Sequence, residues 1–300
     1  MLKSLAPSLN GAYAKIHPRS PHFVTSPPPF SPESLTFQAA RFNPETALQA
    51  LRQSGCILIR SLFNPTLIGS YLRRAERVFA LRQAEYTAGT LPQGYHKNYD
   101  YGRMTYLSLR ELDLPHEVPF RFVDLVAKSL LIPFLRSYYG STVWWNQLES
   151  NMRLQQPGLP ELQIPFHQDG PFLRMPEYPQ LNCWFPLGAA GQEAPGLEVA
   201  PIGLSELWPV IPAEAEAENP LYASYALKTE KVLAAVGSPD RLWHPQVWPG
   251  DVLIMDSYIL HRTYATAEMK KPRYSVELRS LPADGLSSAQ RKQYGMKILG

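Results

Sequence analysis

The segment Phe166-His167-Gln168-Asp169-Gly170 sets an imidazole and a carboxylate two residues apart. On a strand, residues i and i+2 point to the same face, so one short extended segment presents both groups side by side. They are two of the three groups of a 2-His-1-carboxylate set, which grips one face of a metal and leaves the other open. A His-x-Asp pair is common by itself, and the third ligand has to come from a distant strand folded alongside. The segment PGDVLIMDSYILHRT offers one: Gly250-Asp251 reads as a turn, Val252–Met255 as a buried strand, and His261 opens the connection that follows. His244 competes for the role from the proline-flanked loop Trp243-His244-Pro245-Gln246.

Downstream, Arg273 and Ser275 share one face of the expected strand RYSVELR. A guanidinium is a planar two-pronged clamp for a carboxylate, and a neighbouring hydroxyl adds one hydrogen bond. That pair suits the far carboxylate of 2-oxoglutarate. Arg279 is the alternative anchor, placed where the strand is expected to end. Two histidines and an aspartate also suit zinc in a hydrolase, but zinc leaves Arg273 and Ser275 without a purpose. The set His167, Asp169, His261, Arg273 and Ser275, in that order, is much rarer than any one member.

Helices come first in the elements that must carry these groups. Asn43-Pro44 and Asn64-Pro65 each read as an N-cap followed by proline in the first turn. The first helix ends near Gly55 and leads into a short buried strand, Cys56–Arg60; the second is longer, with Leu67, Ile68, Tyr71, Leu72, Ala75, Val78 and Phe79 at helical spacing. A further helix is expected over about 119–139. From about 141 to 282 the pattern changes to short apolar strands such as VWWNQL, LNCWFPL, GLEVAP and DVLIMD, separated by Gly, Pro and Asn. Helices followed by many short strands predict a mainly β fold with flanking helices, an antiparallel barrel or jelly roll. Residues 1–35, rich in Pro and Ser, read as an extended arm before a single domain over 36–300, and 205–245 reads as an insertion or lid.

Composition narrows the class. Hydrophobic residues make up 45%, enough for a sizeable core, and only 18% are charged, which argues against disorder. The net charge of +3 comes without a basic run; Arg73-Arg74 and Lys270-Lys271 read as solvated pairs, so no nucleic-acid partner is expected. Cys56 and Cys183 sit in apolar runs and read as buried thiols. No stretch has the length of a membrane span, and the first residues lack the apolar segment of a signal peptide. A cytoplasmic enzyme acting on a small molecule is expected.

Over roughly residues 45–280 the chain resembles the phytanoyl-CoA dioxygenase family. The similarity lies in LRQSGCILIRSLFNP, in HQDG, in GLEVAPIG and in GDVLIMDSYILHRT, in that order. One departure is Pro201-Ile202-Gly203-Leu204, where members commonly have Pro-Gly-Ser-His. The resemblance implies a double-stranded β-helix (jelly roll, cupin-like), with iron(II) on His167, Asp169 and His261 and with 2-oxoglutarate and O2 as cosubstrates. It further implies cosubstrate contacts at Gln168, Trp184, Thr263 and Met152. Relatives that halogenate replace the carboxylate with Gly or Ala. Asp169 therefore implies hydroxylation, or a related desaturation or ring closure, in which 2-oxoglutarate ends as succinate and carbon dioxide. The aromatic stretch GYHKNYDYGR is expected at the pocket mouth, with Tyr95, Lys97, Tyr99, Tyr101 and Arg103 as substrate contacts. A specialised-metabolite intermediate is the preferred substrate class, with acyl-CoA and amino-acid derivatives as alternatives.

Overall fold

The computed structural model describes residues 31–91, 99–100, 103–113, 118–159, 162–173, 180–204, 206–208 and 226–300. In chain order these form β1 (Thr36–Gln38), α1 (Pro44–Ser54), β2 (Cys56–Arg60) and α2 (Pro65–Ala88), then the ribbon β3 (Tyr99–Asp100) and β4 (Arg103–Met104). Next come β5 (Tyr106–Ser108), α3 (Phe122–Ala127), α4 (Leu131–Tyr139), β6 (Trp144–Asn146), β7 (Asn151–Gln155), β8 (Leu181–Pro186) and β9 (Gly196–Ala200). The chain finishes with α5 (Thr229–Val236), β10 (Val252–Asp256), β11 (Leu260–Tyr264), β12 (Arg273–Leu281), α6 (Ser288–Gln293) and β13 (Met296–Ile298).

Both Asn-Pro signals are N-caps. Asn43 Oδ1 accepts from the N–H groups of Glu45 and Thr46, and Asn64 Oδ1 accepts from Thr66. Gly55 closes α1 in a left-handed conformation, φ 79°. The single helix expected over about 119–139 is two helices. Pro133 has no N–H to donate to Ser129, and the Ser129 hydroxyl instead bonds Val126 O and caps Leu131 N at 3.2 Å.

A nine-stranded sheet runs β1-β2-β10-β8-β12-β6-β13, with β7 also paired to β12 and β5 to β7. Its residues alternate between two environments. Ile57, Ile59, Ile254, Cys183, Phe185, Val276, Leu278 and Met152 pack against the helices. Cys56, Leu58, Leu253, Met255 and Trp184 face the other way, onto Leu197 and Val199 of the small sheet β9–β11. Two sheets thus face each other as in a jelly roll, backed on one side by helices. Cys56 and Cys183 are buried free thiols.

The inner face is apolar over β2 and β10 and polar over β7 and β12. Pairing places Leu253, Trp184, Glu277 and Asn151 in one row, and Met255, Asn182 and Arg279 in the next. Gly250 makes the turn into β10 possible. Its φ is +99°, and a Cβ there would lie 2.2 Å from Phe63 O.

One boundary differs from expectation. The end of the expected arm folds: Pro32–Leu35 is a 3-10 turn that buries Leu35, and β1 pairs parallel to β2. Within the expected insertion, Val232 and Val236 of α5 pack with Phe166, Ala200 and Leu260 on the outside of the small sheet. Among the described residues no helix is long and apolar enough to cross a membrane.

Candidate metal centre

Backbone pairing brings the two histidines together. His167 N donates to His261 O at 3.0 Å and His261 N to His167 O at 3.1 Å, and the rings lie with centroids 4.2 Å apart. His261 is inside β11 rather than after a strand, and it gains a fixed inward direction from that ladder. In each ring Nδ1 lies against the carbonyl two residues earlier, Pro165 O at 2.8 Å and Ile259 O at 3.1 Å. A proton held there leaves Nε2 as a lone-pair donor.

Asp169 reaches the same point by a different route from the one expected. It is helical, φ −67° and ψ −31°, at the start of a 3-10 turn over Gly170–Phe172. Gly170 N, bonded to Ser257 O at 2.9 Å, pins that turn. The turn, not strand alternation, brings Asp169 Oδ1 to 3.8 Å from His167 Nε2 and 3.9 Å from His261 Nε2. The three donor atoms lie within 4.8 Å of one another and all three residues are buried. Metal–ligand bonds of about 2.0–2.2 Å at right angles need donors about 3 Å apart, so a small inward shift closes the set on a cation. His244 is outside this group, half exposed and stacked on Tyr264 at 4.4 Å.

Burial pushes the His167 imidazole down to about 3, with the neighbouring His261 adding to the effect, so the ring is neutral and competent to bind metal. For Asp169, burial works against the charge. The Arg279 guanidinium, helped by the two histidines, outweighs it and holds the carboxyl below the ordinary carboxylate range.

Arg279 is not at a strand end. β12 continues to Leu281, so Arg273, Ser275, Glu277 and Arg279 all face the interior. Arg279 grips both Asp169 oxygens, Nη1 on Oδ2 and Nη2 on Oδ1, the latter at 3.2 Å, and Nη2 also meets Glu277 Oε2 at 3.1 Å. It is committed to the Asp169 carboxylate and does not serve as a spare anchor.

Arg273 is far less satisfied. Nη1 donates to Gly196 O across the gap between sheets at 2.9 Å, and the guanidinium lies 5.5 Å from the centre of the Trp184 ring. Arg273 Nε, Ser275 Oγ, Trp184 Nε1 and Asn182 Oδ1 are buried with no hydrogen-bond partner. Burial, then the charge of Arg153, lowers the Arg273 pKa to about 9, with Glu277 opposing. A buried cation beside the orphaned donors Arg273 Nε, Ser275 Oγ and Trp184 Nε1 calls for an anionic guest. The residues therefore fit both a divalent metal and a carboxylate cosubstrate.

Other expected contacts divide. Trp184 and Thr263 face the interior, where Thr263 Oγ1 accepts from Ile164 N at 3.1 Å. Met152 pairs with Val276 and belongs to the helix-side core, so its side chain is outside this pocket. Gln168 is fully used by backbone: Nε2 donates to Tyr258 O at 2.6 Å and Glu206 O at 3.1 Å, while Oε1 accepts from Trp208 N at 2.6 Å. It ties 206–208 to the metal loop and has no amide left for a cosubstrate. Tyr95, Lys97 and Tyr101 lie outside the described residues; Tyr99 and Arg103 belong to the β3–β4 ribbon, which is fastened to α2 by Met104 N donating to Gln83 Oε1 at 2.8 Å. Sequence reasoning missed Arg153, Asn182 and Glu277. For Arg153 and Glu277 the signal was a polar residue at every second position of the strand, whereas Asn182 is a lone polar residue in the apolar strand LNCWFP.

Comparison with known proteins agrees with this architecture. AviO1 from Streptomyces viridochromogenes Tue57 superposes with TM-score 0.54 at 19% identity, covering 81% of this chain and 96% of that one. SnoK, a non-heme alpha-ketoglutarate-dependent carbocyclase from nogalamycin biosynthesis, gives 0.52 at 15% identity over 82% and 86% of the two chains. The epimerase SnoN, in complex with Fe3+, alpha-ketoglutarate and nogalamycin RO, gives 0.54 at 15% identity over 80% and 84%. At these identities the likeness speaks for the fold. A search of curated proteins finds no match. The model of the phytanoyl-CoA dioxygenase (PhyH) family matches residues 51–271, a span that holds all three buried donor residues, and the chain belongs to that family.

Proposed function

We propose that this protein is an iron(II)- and 2-oxoglutarate-dependent oxygenase that hydroxylates, or otherwise oxidises, an unactivated C–H bond of a small specialised metabolite. The observation that carries the proposal is a buried His-Asp-His set whose Asp169 is gripped by Arg279 of β12, the strand that bears an unsatisfied guanidinium–hydroxyl pair, Arg273 and Ser275, on the same face. Iron(II), when bound, supplies the oxidising chemistry together with 2-oxoglutarate and O2. His167, Asp169 and His261 would hold the metal. Arg273 and Ser275 take the far carboxylate, and Trp184 walls the pocket and excludes water. The carboxylate of Asp169 fills the position a halide would need, which favours oxidation over halogenation. Structural relatives that work in nogalamycin biosynthesis support a small, functionalised substrate, and their carbocyclase and epimerase activities make ring closure or epimerisation the second reading.

Anaerobic addition of iron(II) and 2-oxoglutarate tests the proposal. Wild-type protein should develop the weak visible charge-transfer band of chelated 2-oxoglutarate, and His261→Ala should not. Iron-loaded wild type without the band would remove the proposal and favour a zinc site or a binding protein.

A further inference from the structure

Asn151, Arg153 and Gln155 of β7 turn inward, beside Glu277, Ser275 and Arg273 of β12 respectively. Arg153 is buried to 2% exposure, with Tyr106 as its neighbour on β5. Its guanidinium lies 4.6 Å from the Tyr106 ring centre, Nη2 donates to Gln155 Oε1 at 2.9 Å and reaches Leu162 O at 3.5 Å, and Nε has no partner. Among the described residues neither Arg153 nor Arg273 makes an ion pair, whereas Arg279, Arg60 and Arg262 each do. Arg153 is the ladder partner of Ser275, and its hydrogen-bond partner Gln155 is the ladder partner of Arg273, so the guanidinium sits beside the anchor pair. Two buried like charges without a direct ion-pair partner destabilise the ligand-free protein and favour whatever brings negative charge.

We propose that Arg153 is a second cation of the cosubstrate receptor, taking a carboxylate oxygen of 2-oxoglutarate beside Arg273 and Ser275. The inference rests on the iron/2-oxoglutarate reading above. Arg153 and Arg273 would then hold the far carboxylate together, while Arg279 is engaged by Asp169 and Glu277. Tyr106 and Gln155 keep the Arg153 guanidinium in place before the ligand arrives.

Calorimetric titration of 2-oxoglutarate into anaerobic iron(II)-loaded protein, with melting curves of the ligand-free proteins, tests it. Arg153→Gln should weaken binding at least about tenfold, as loss of a charged hydrogen-bond partner does. It should leave the ligand-free melting temperature unchanged or higher, because one of two like charges is gone. A strut would behave in the opposite way, lowering the melting temperature and sparing affinity. Arg153→Lys, which keeps the charge but loses the planar fork, should fall between wild type and Arg153→Gln. Wild-type affinity in both Arg153 variants, with binding lost in Arg273→Gln, would overturn this inference and leave the oxygenase reading intact. Absence of 2-oxoglutarate binding in the wild type would remove the oxygenase reading itself.

Discussion

At the residue scale His167 and Asp169 are held ready in their metal-binding protonation states. The pKa of His167 is about 3 when folded against 6.5 as an ordinary histidine, so its contribution to stability is complete above about pH 6.5 and is lost as pH falls toward 3. Asp169, also depressed, acts in the same direction at lower pH, where protonation breaks its hold on Arg279. Melting of the metal-free protein should therefore fall steadily below about pH 6.5, and a scan of melting temperature against pH checks this; in His167→Gln the upper part of the slope should flatten. Arg279→Met should loosen Asp169 and weaken metal binding about 10–100-fold, as loss of a partner that orients a ligand does, measured by competition with a coloured chelator. The ligands themselves were legible because residue type nearly dictates them. The partners of Arg279 and Gln168 were not, since a guanidinium or amide is assigned only when the distant chain arrives. Gln168 lies between two ligands in sequence and still turns its amide to Tyr258, Glu206 and Trp208.

At the element scale, local chemistry predicted well where it was self-contained. Asn43 and Asn64 cap their helices as their Asn-Pro pairs imply, and Asn64→Ala should lose about 1 kcal/mol of stability in urea denaturation. Gly250→Ala should be worse, by about 1–3 kcal/mol or more in the same assay, because it combines a left-handed backbone with a collision on Phe63 O. Prediction failed where an element depends on a neighbour. His-x-Asp looked like a strand, but only His167 finds a ladder partner and Asp169 bends into a turn that Ser257 completes. β12 was expected to stop near Arg279, yet Ser280 and Leu281 continue by pairing with Trp145 and Trp144, residues far away in sequence.

At the scale of the whole molecule, the nine-stranded sheet keeps two populations of side chains apart. Phe185, Val276 and Leu278 look toward α1–α4, while Asn182, Ser275, Glu277 and Arg279 lie on the opposite face, the one from which Arg279 reaches Asp169. The succession of helices and then many short apolar strands made the fold class legible; which polar face met which was set by strand order, which no local pattern encodes. Leu278→Ala should lose about 2–5 kcal/mol, as a buried large-to-small change does, without touching the pocket, whereas Asn182→Ala should alter ligand binding with little change in unfolding; paired melting and binding measurements separate the two. That separation has an evolutionary meaning. Because each strand residue answers to one face only, the pocket can drift through new substituents while the helix-side packing stays fixed. A lineage built on this sheet is free to explore new substrates without first repairing its own foldability.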